Sequence, residues 1–415
     1  MIGVVGLGLS GMATISWLKA RGLAVHAFDT RDNPPGLAQL PSDVPVTLGP
    51  LDAAKLSQCH YLVLSPGLAK DVPAIQDAGV EVLGDVELFA RSVEAPVIAI
   101  TGSNGKSTVT TLVGDMAARA GIKVAVGGNI GVPVLALPMD AELYVLELSS
   151  FQLETTSSLK AVAATILNLS PDHLDRYDGM AGYARAKQRI YEHAEHCIYN
   201  SDDKATRPAK GGVSFGEQGQ YHLADGWLSK GETPLIRSSD VCLLGRHNHF
   251  NALAALALGE AAGIPLAAML ESLKHFGGLP HRCEPVADKG GVRFVNDSKA
   301  TNLGSTEAAL DGFADIPGDI ILLAGGDAKG ADLSPLKARL GKVRELICFG
   351  KDGAAIAALK AGCHLVASLD EAVPLAASLA KAGDLVLLSP ACASLDQFKN
   401  FEARGARFRE LVEAL

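Results

Sequence analysis

The stretch Thr101-Gly102-Ser103-Asn104-Gly105-Lys106-Ser107-Thr108 decides how the centre of this chain is expected to fold. It follows the apolar run 97–100, which predicts a buried strand, and precedes a segment of helical periodicity, 106–120, that stops at Gly121. In a strand, a glycine loop and a helix that follow in this order, the backbone N–H groups of the loop and of the helix N-terminus point towards one position, where an anion can bind. The stretch therefore predicts a phosphate-binding loop on an α/β sheet, with the lysine reaching the outer phosphates.

The match to the general phosphate-loop pattern is incomplete, because Ile100 stands where that pattern has its first glycine. An ordinary strand-to-helix turn is the alternative. Such a turn does not explain a lysine that follows two glycines and precedes two hydroxyl side chains. We therefore predict a nucleotide site, in which the hydroxyl of Ser107 or Thr108 is placed to ligate Mg²⁺.

Composition limits the class of protein. The 415 residues are too many for one compact core and indicate two or three domains. A formal net charge of −9 argues against a general nucleic-acid binder. The seven cysteines have no paired spacing, so we expect a reducing cytoplasm and neither a zinc site nor a disulfide framework. The absence of a leader pattern and of a run of about 18 apolar residues predicts no membrane span.

A second glycine motif, Gly6-Leu7-Gly8-Leu9-Ser10-Gly11, follows the first predicted strand, and Asp29 ends the next one. This is the dinucleotide fingerprint, and one interpretation is an NAD-dependent dehydrogenase. The alternation of this region ends after about 85 residues, which is short for a full dinucleotide fold of two halves. A single nucleotide moiety with Asp29 near its ribose or base fits that size better. Glycines that serve only a tight turn are the structural alternative.

Strand and helix signals alternate along the chain, which predicts an α/β fold with mostly parallel sheets. We expect three domains: a Rossmann-like domain at 1–84, a central phosphate-loop domain at 85–278 and a second Rossmann-like domain at 279–415. The expected strands outside the phosphate-loop strand are 2–5, 24–28, 61–64, 143–148, 164–169, 292–295, 320–323, 346–349 and 385–388. A helix is expected at 179–196, and a small sheet or an insertion at 201–240.

Two acidic segments are expected near the phosphate loop. Glu147 directly follows the apolar run 143–146, where a carboxylate beside the loop would supply Mg²⁺ with an oxygen ligand. Asp172 and His173 follow the next strand and could bind a second metal or contact substrate. A solvated strand end for Glu147, and a helix capped by Asp172, are the structural alternatives.

Lys187 lies on the apolar stripe of its predicted helix, between Tyr183 and Tyr191. An inward ammonium is desolvated, which lowers its pKa and frees the amine for chemistry. The alternative is a side chain that runs along the apolar surface and reaches solvent at its tip. Spacing alone does not decide between the two.

Polar loops follow the strands of the third domain, at 280–282, 296–302 and 325–330, and together they suggest a second half-site. The segment 389–398 leads towards the last helix. Ser394 with Gln397 three residues later predicts a capping box at the start of that helix. The same helix N-terminus would offer N–H donors to a carboxylate.

In this order, these segments resemble the Mur ligase family, and within it the members that add D-glutamate. The resemblance covers essentially the whole chain. Its most specific stretches are Gly102–Thr108, Glu147–Glu154, Ser170–Tyr177, His247–Asn251, Asn296–Asn302 and Ser389–Phe401. The last is typical of the D-glutamate-adding members, and the Asp-Asn-Pro-Arg motif of the diaminopimelate- or lysine-adding members is absent. Ser10 departs from the common threonine and keeps its hydroxyl.

The resemblance implies a role for each matching residue. Residues implied to hold the UDP-sugar are Leu9, Ser10, Asp29, Thr30, Arg31, Gly67 and Asn129. Those implied to hold ATP are Gly102, Ser103, Asn104, Gly105, Lys106, Ser107, Thr108, Asn248, Asn251, His281, Arg282 and Asp297. Those implied for D-glutamate are Lys299, Thr301, Lys329, Ser394, Leu395 and Phe401. Two Mg²⁺ ions are implied, the first on Ser107 and Glu147 and the second on His173 and Lys187, with Lys187 carbamylated by CO₂.

The activity that the resemblance implies is an ATP-dependent amide ligase. ATP would phosphorylate the carboxylate of UDP-N-acetylmuramoyl-L-alanine, and the amine of D-glutamate would attack the acyl phosphate. Lys106, Glu147, His173 and Lys187 are the expected catalytic residues. We expect a cytoplasmic monomer whose partners are small molecules. The alternatives are a ligase resembling folylpolyglutamate synthetase, an NAD-dependent dehydrogenase and, more remotely, a nucleotide-binding switch without turnover.

Overall fold

The computed structural model describes residues 1–172 and 176–415. The chain divides into two compact units. The first comprises Met1–Ala224, Ser229–Leu235 and Ala252–Ser272, and the second comprises Asp225–Leu228, Ile236–Asn251 and Leu273–Leu415. No helix of the described ranges has the length and apolar character that crossing a bilayer requires.

The first sheet consists of five parallel strands in the order β3-β2-β1-β4-β5. Its strands are β1 (Ile2–Val5), β2 (Val25–Asp29), β3 (Val46–Leu48), β4 (Tyr61–Leu64) and β5 (Glu81–Gly84). Its helices are α1 (Leu9–Ala20), α2 (Ala53–Leu56), α3 (Pro73–Asp77) and α4 (Asp85–Ala90). The three strands predicted in this region are confirmed. Pairing adds β3 and β5, whose short runs lack a clear apolar pattern.

The phosphate-loop strand, β6, is the first strand of the second sheet along the chain. Across the sheet the strands are arranged in the order β14-β13-β12-β11-β10-β9-β6-β8-β7. Its strands are β6 (Val97–Thr101), β7 (Val124–Gly128), β8 (Leu143–Glu147), β9 (Ala163–Ile166), β10 (His196–Asn200), β11 (Val213–Phe215), β12 (Tyr221–Ala224), β13 (Trp227–Lys230) and β14 (Thr233–Arg237). The helices in and after this region are α5 (Lys106–Arg119), α6 (Ser150–Glu154), α7 (Gly179–Gln188), α8 (Arg246–Ala261) and α9 (Leu266–His275).

The predicted helix 179–196 is wrong beyond Gln188. The chain turns through a short 3-10 segment, Arg189–Tyr191, and then enters β10, which pairs with β9. The Tyr191 hydroxyl holds this turn, because it donates to the Ile198 carbonyl and accepts from the Ile166 N–H. The apolar stripe continues through the turn, so periodicity alone did not mark the end of the helix.

The third sheet has the order β15-β16-β20-β17-β18-β19 and is parallel except for β15, which runs antiparallel to β16. Its strands are β15 (Glu284–Lys289), β16 (Val292–Asn296), β17 (Ile320–Gly325), β18 (Val343–Phe349), β19 (His364–Leu365) and β20 (Leu385–Leu388). Its helices are α10 (Leu303–Gly312), α11 (Gly353–Ala357), α12 (Leu369–Leu379) and α13 (Phe401–Glu413). The predicted α/β alternation is confirmed in all three sheets except at β11–β14 of the second sheet, which follow one another without helices between them.

The cores explain why these segments fold as they do. The first two sheets share one cluster of buried apolar residues, which runs from Val4 of β1 to Ile166 of β9. The third sheet has a cluster on each of its two faces, one around Leu322 and one around Leu323. Neighbouring residues of a strand point to opposite faces, so a parallel strand covered by helices on both sides is apolar throughout.

Candidate active site

The phosphate loop leaves β6 and enters α5 through two glycines with positive φ angles. Gly102 has φ +152°, and a Cβ atom there would lie 3.2 Å from the backbone nitrogen of Leu167. Gly105 precedes the first residue of α5 with φ +82°. These positions require glycine because the loop lies against the segment after β9 and then turns sharply into the helix.

The loop is anchored on its β9 side. The N–H of Ser103 donates to the carbonyl of Asn168 at 2.9 Å, and the N–H of Asn104 donates to its side-chain Oδ1 at 2.8 Å. The first turn of α5, which starts at Lys106, directs its N–H groups out of the beginning of the helix. The anion-binding end of this loop is therefore the start of α5.

Lys106 folds back over its own loop in this structure. Its ammonium donates to the carbonyls of Gly102 at 2.8 Å and Ser103 at 2.9 Å. This arrangement keeps a positive charge at the mouth of the loop, where outer phosphates would lie.

Glu147 ends β8, which pairs with β6 so that Glu147 lies opposite Ile100. Its side chain is 3% exposed. One carboxylate oxygen accepts from the Asn129 side chain at 2.9 Å, and the other is buried without a hydrogen-bond partner among the residues that the structure describes. A buried carboxylate oxygen without a partner is unfavourable unless a cation completes its environment. The site therefore fits a hard cation such as Mg²⁺. The predicted substrate residue Asn129 lies beside it, hydrogen-bonded to Glu147.

Lys187 lies on α7 with its side chain 2% exposed, which is the inward orientation and not the solvent-reaching alternative. Its ammonium donates to the Thr101 hydroxyl at 3.0 Å and the Gly102 carbonyl at 3.1 Å, and lies 4.9 Å from the Tyr183 ring centroid. Burial, and then the nearby Lys106 ammonium, hold the pKa of Lys187 well below its usual range. The amine thus sits at the base of the phosphate loop in an environment that favours its neutral form.

The acidic segment after β9 is only partly described. His173 lies outside the described residues, so the structure does not bear on its predicted metal role. Asp172 contributes negative charge near Lys187. It does not cap α7, because that helix begins at Gly179 and follows Asp178. Among described residues, no three His, Cys, Asp or Glu side chains form a ready-made metal site.

The glycine turn after β1 is organised by Asp29. Its buried carboxylate accepts from the Leu7 N–H at 2.7 Å and forms an ion pair with Arg31, and these contacts lower its pKa to about 2. Leu9 is 82% exposed at the same turn. Thr30 and Gly67 are also exposed. The predicted UDP-sugar residues around this turn therefore surround an accessible surface.

Asp85, the first residue of α4, is a buried carboxylate that sequence reasoning missed. One of its oxygens has no hydrogen-bond partner by geometry. Burial raises its pKa to about 6, against smaller lowering contributions from its own helix N–H, Gln152 and Ser10. The available signal was an acid directly after a strand, which is also typical of an ordinary helix start.

The predicted ATP residues of the second unit lie in two places. Asn248 and Asn251 lie in α8 and are joined by a side-chain hydrogen bond of 2.9 Å. His281, with φ +64°, precedes Arg282 in the loop before β15. Asp297 is buried and accepts from the Ser389 hydroxyl at 2.8 Å, and burial raises its pKa to about 6.

Three loops at the ends of strands in the third sheet carry the predicted D-glutamate residues. We call 298–302, 325–330 and 390–397 the carboxy-terminal loops. The Lys299 ammonium lies 3.8 Å from the Phe401 ring centroid. Lys329 has φ +53°, Ser394 is buried and Leu395 is 64% exposed. Reciprocal backbone bonds of 2.9 Å join Asp327 to Ala393, so two of these loops lie side by side.

Arg404 joins all three carboxy-terminal loops and was not identified from the sequence. Its guanidinium is fully buried and donates to the Ser298 hydroxyl and carbonyl, to the Cys392 carbonyl from two nitrogens, and to the Gly325 carbonyl. Burial lowers its pKa to about 10. An arginine inside a helix after a polar segment carries no sequence signal for this role.

The predicted capping box at Ser394 is wrong. The last helix begins at Phe401, and its cap is Asn400, whose side chain accepts from the Ala403 N–H at 2.8 Å. Ser394 instead starts a turn in which its carbonyl accepts from the Phe398 N–H. Asparagine and serine are comparable caps, so composition did not distinguish the two starts.

Comparisons with known proteins identify three successive parts of the chain. Three family models match: a MurD-like N-terminal domain of the Mur ligases at residues 1–84, the Mur ligase middle domain at 100–259, and the Mur ligase glutamate ligase domain at 281–392. Proteins named UDP-N-acetylmuramoylalanine–D-glutamate ligase from Escherichia coli (strain K12) and Yersinia pseudotuberculosis are each 52% identical over 428 residues. The match covers 99% of this chain and 98% of each relative.

Solved structures agree at the level of the fold. The MurF ligase of Thermotoga maritima, crystallised with ADP, has a TM-score of 0.64 at 16% identity and covers 100% of this chain and 94% of its own. The UDP-N-acetylmuramate-alanine ligase of Thermotoga maritima has a TM-score of 0.61 at 19% identity, covering 100% and 99%. The predicted three-domain α/β architecture is confirmed, and the chain belongs to the Mur ligase family.

Proposed function

We propose that this chain is an ATP-dependent ligase that joins D-glutamate to UDP-N-acetylmuramoyl-L-alanine, a cytoplasmic step in the synthesis of peptidoglycan precursors. The reaction class rests on one observation: the unpartnered, buried oxygen of Glu147 beside a phosphate loop that contains Lys106. The substrates follow from the relatives of 52% identity, whose names specify this reaction. We also propose that 1–84, 85–278 and 279–415 are its functional domains and that it acts as a monomer.

The chemistry joins two anions, so the protein must hold them while charge moves. The loop N–H groups and Lys106 bind the triphosphate and orient its terminal phosphoryl group towards the substrate carboxylate. That oxygen forms a bond to phosphorus as the bond to ADP breaks, which yields an acyl phosphate. The D-glutamate amine then forms a bond to the acyl carbon, phosphate leaves, and the amine loses its proton to solvent.

Two Mg²⁺ ions would be held by Ser107 with Glu147 and by His173 with Lys187, and when bound they would neutralise charge on the phosphates. Glu147 supplies the carboxylate oxygen that the structure leaves without a partner. Asn129 holds the other oxygen and fixes the carboxylate orientation. Glu147 is thereby presented towards the loop in one rotamer.

We further propose that Lys187 is carbamylated. Burial holds the pKa of its amine well below the usual range, which favours the neutral form, and a neutral amine adds to CO₂ to form a carbamate with release of one proton. The product replaces a desolvated cation by an anionic oxygen ligand. Lys187→Ala should lose most activity and regain part of it when acetate or formate is added. Absence of any rescue would argue against the carbamate.

The function is tested by ADP and phosphate release across a panel of amino acids and UDP-muramoyl substrates. We expect turnover only with UDP-N-acetylmuramoyl-L-alanine and D-glutamate together. Turnover with a folate substrate in place of the UDP-sugar would support a ligase resembling folylpolyglutamate synthetase. A change in NAD(P)H absorbance without ADP formation would support a dehydrogenase instead.

A further inference from the structure

We propose that Asn168 is a positioning residue that locks the shape of the phosphate loop and ties the loop to the acidic segment after β9. Its side-chain amide pairs with both polar groups of Asn104. Oδ1 accepts from the Asn104 N–H at 2.8 Å, and Nδ2 donates to the Asn104 carbonyl at 3.0 Å. The inference deepens the proposed function, because it assigns how the ATP-binding loop is held.

The contact continues the pairing of β6 with β9 beyond the ends of both strands. The Leu167 N–H donates to the Thr101 carbonyl at 3.0 Å, and the Ser103 N–H donates to the Asn168 carbonyl at 2.9 Å. Gly102 lies against Leu167 in between. At Asn104 the hydrogen bonds come from the side chain of Asn168 and no longer from its main chain. This is possible because a side-chain amide offers the same donor and acceptor as a peptide group.

A second anchor lies two residues after Asn168, at Ser170. The Ser170 N–H donates to the Ser103 hydroxyl at 2.9 Å, and the Tyr183 hydroxyl lies 3.2 Å from the same oxygen. Ser103 and Asn104 are thus both held by residues 168–170. This segment is held in turn from its far side, since Asn200 donates to the Leu167 carbonyl and the Leu169 N–H donates to Asp203.

The geometry has a consequence for the reaction. The anchoring segment runs directly into Asp172, whose charge acts on Lys187. The Lys187 ammonium in turn donates to the Gly102 carbonyl of the loop. The loop, residues 168–170 and Lys187 are therefore joined by hydrogen bonds into one connected unit. Asn168 sets where the phosphates lie relative to that unit, and other residues make the contacts to them.

Two substitutions test this role. Asn168→Ala removes both bonds, and Asn168→Asp keeps the shape but places a carboxylate oxygen against the Asn104 carbonyl. We expect Asn168→Ala to raise the KM for ATP and the Kd for ADP about tenfold, the effect of losing two neutral hydrogen bonds. Asn168→Asp should raise both in the same direction, because it loses one bond and sets a carboxylate oxygen against the Asn104 carbonyl. The KM for the UDP-sugar substrate should stay within about twofold of the wild-type value.

Asn200→Ala is the matched control. It removes an asparagine that holds the same segment from the side away from the loop. It should lower the melting temperature as Asn168→Ala does, yet leave the KM for ATP within about twofold. If Asn200→Ala raises that KM as much as Asn168→Ala, or if Asn168→Ala raises both KM values equally, the positioning role is refuted.

Hydrogen exchange gives a readout that does not depend on turnover. The Asn104 amide should be protected in the wild-type protein, in Asn200→Ala and in Asn168→Asp, which keeps an acceptor oxygen for it, and should exchange at least about tenfold faster in Asn168→Ala, which removes that acceptor. Unchanged protection in Asn168→Ala would overturn the inference. Wild-type protein that binds no ADP would instead overturn the proposed function, while the exchange result still decides the role of Asn168.

Discussion

The phosphate loop and the carboxy-terminal loops are held in opposite ways. The phosphate loop is one continuous stretch, held on its β9 side by neutral amide and main-chain hydrogen bonds to the segment around Asn168, while the ammonium groups of Lys106 and Lys187 donate to its Gly102 carbonyl. The carboxy-terminal loops come from three separate parts of the sequence and meet at the buried guanidinium of Arg404. No ion pair joins Arg404 to a carboxylate among the described residues.

This difference predicts how substitutions in each region affect folding and function. Neutral hydrogen bonds contribute about 0.5–1.5 kcal/mol each, so a change near the phosphate loop should affect function more than folding. A buried charge that satisfies several carbonyls leaves all of them unpaired when it is removed. A change at Arg404 should therefore affect folding and substrate binding together.

The largest expected effect is at the phosphate loop. Lys106→Ala should lower kcat by about 10³-fold, because it removes the charge that stabilises the transferring phosphoryl group. Its melting temperature should stay near that of the wild type. Lys123→Ala, which removes an exposed lysine paired with Asp140, is the control and should keep full activity. A Lys106→Ala enzyme with normal rates would exclude this loop as the ATP site.

The next effect is at Arg404. Arg404→Met should destabilise the protein by about 3 kcal/mol, since the Ser298, Gly325 and Cys392 carbonyls lose their donor. It should also raise the KM for D-glutamate more than that for ATP. Urea denaturation and steady-state kinetics measure the two effects. Arg407→Met, an exposed arginine of the same helix paired with Asp370, is the control. Equal effects of the two substitutions would remove the basis of the comparison.

A pH effect should separate the two regions further. Burial raises the pKa of Asp297 to about 6, from 3.8 for the ordinary group, and its charge acts on Arg404. Between these values the folded state binds more protons than the unfolded state, so this group's contribution to stability falls as pH rises from about 4 to 6. Asn does not titrate. The stability of Asp297→Asn minus that of wild type should therefore rise by about 2 kcal/mol across this window.

Denaturation of both proteins at pH 4.5 and pH 7 would measure that difference. The matched control is Asp319→Asn, which changes an acid whose side chain is half exposed. A constant difference between wild type and Asp297→Asn would show that the carboxylate is not held in its protonated form by the fold.

The smallest effect concerns the start of the last helix. Asn400→Ala should cost about 1 kcal/mol, because its side chain caps the helix at the Ala403 N–H. Ser394→Ala should not show this cap loss, but should raise the KM for D-glutamate more than that for ATP. A loss of stability from Ser394→Ala equal to that from Asn400→Ala would restore the capping role at Ser394.

Much of the architecture was predictable because its causes are local. Apolar runs of four to six residues marked the buried parallel strands, and the glycines at 102 and 105 marked a loop whose backbone no other residue tolerates. Helical spacing placed Lys187 on the apolar stripe, but only the structure decided that its side chain points inward. Short edge strands such as β3 and β19 were missed, because pairing with a neighbour stabilises them more than their own composition does.

The amino-acid sequence by itself determined the alternation of strands and helices, the phosphate loop and the resemblance that led to a ligase. Only the tertiary structure decided which oxygen of Glu147 has no hydrogen-bond partner among the described residues, which residue of the loop Asn168 binds and which loops Arg404 joins. The physical reason is separation along the chain. Periodicity and glycine geometry act within a few residues, whereas these contacts join residues 12 to 106 positions apart and exist only once the sheets have formed.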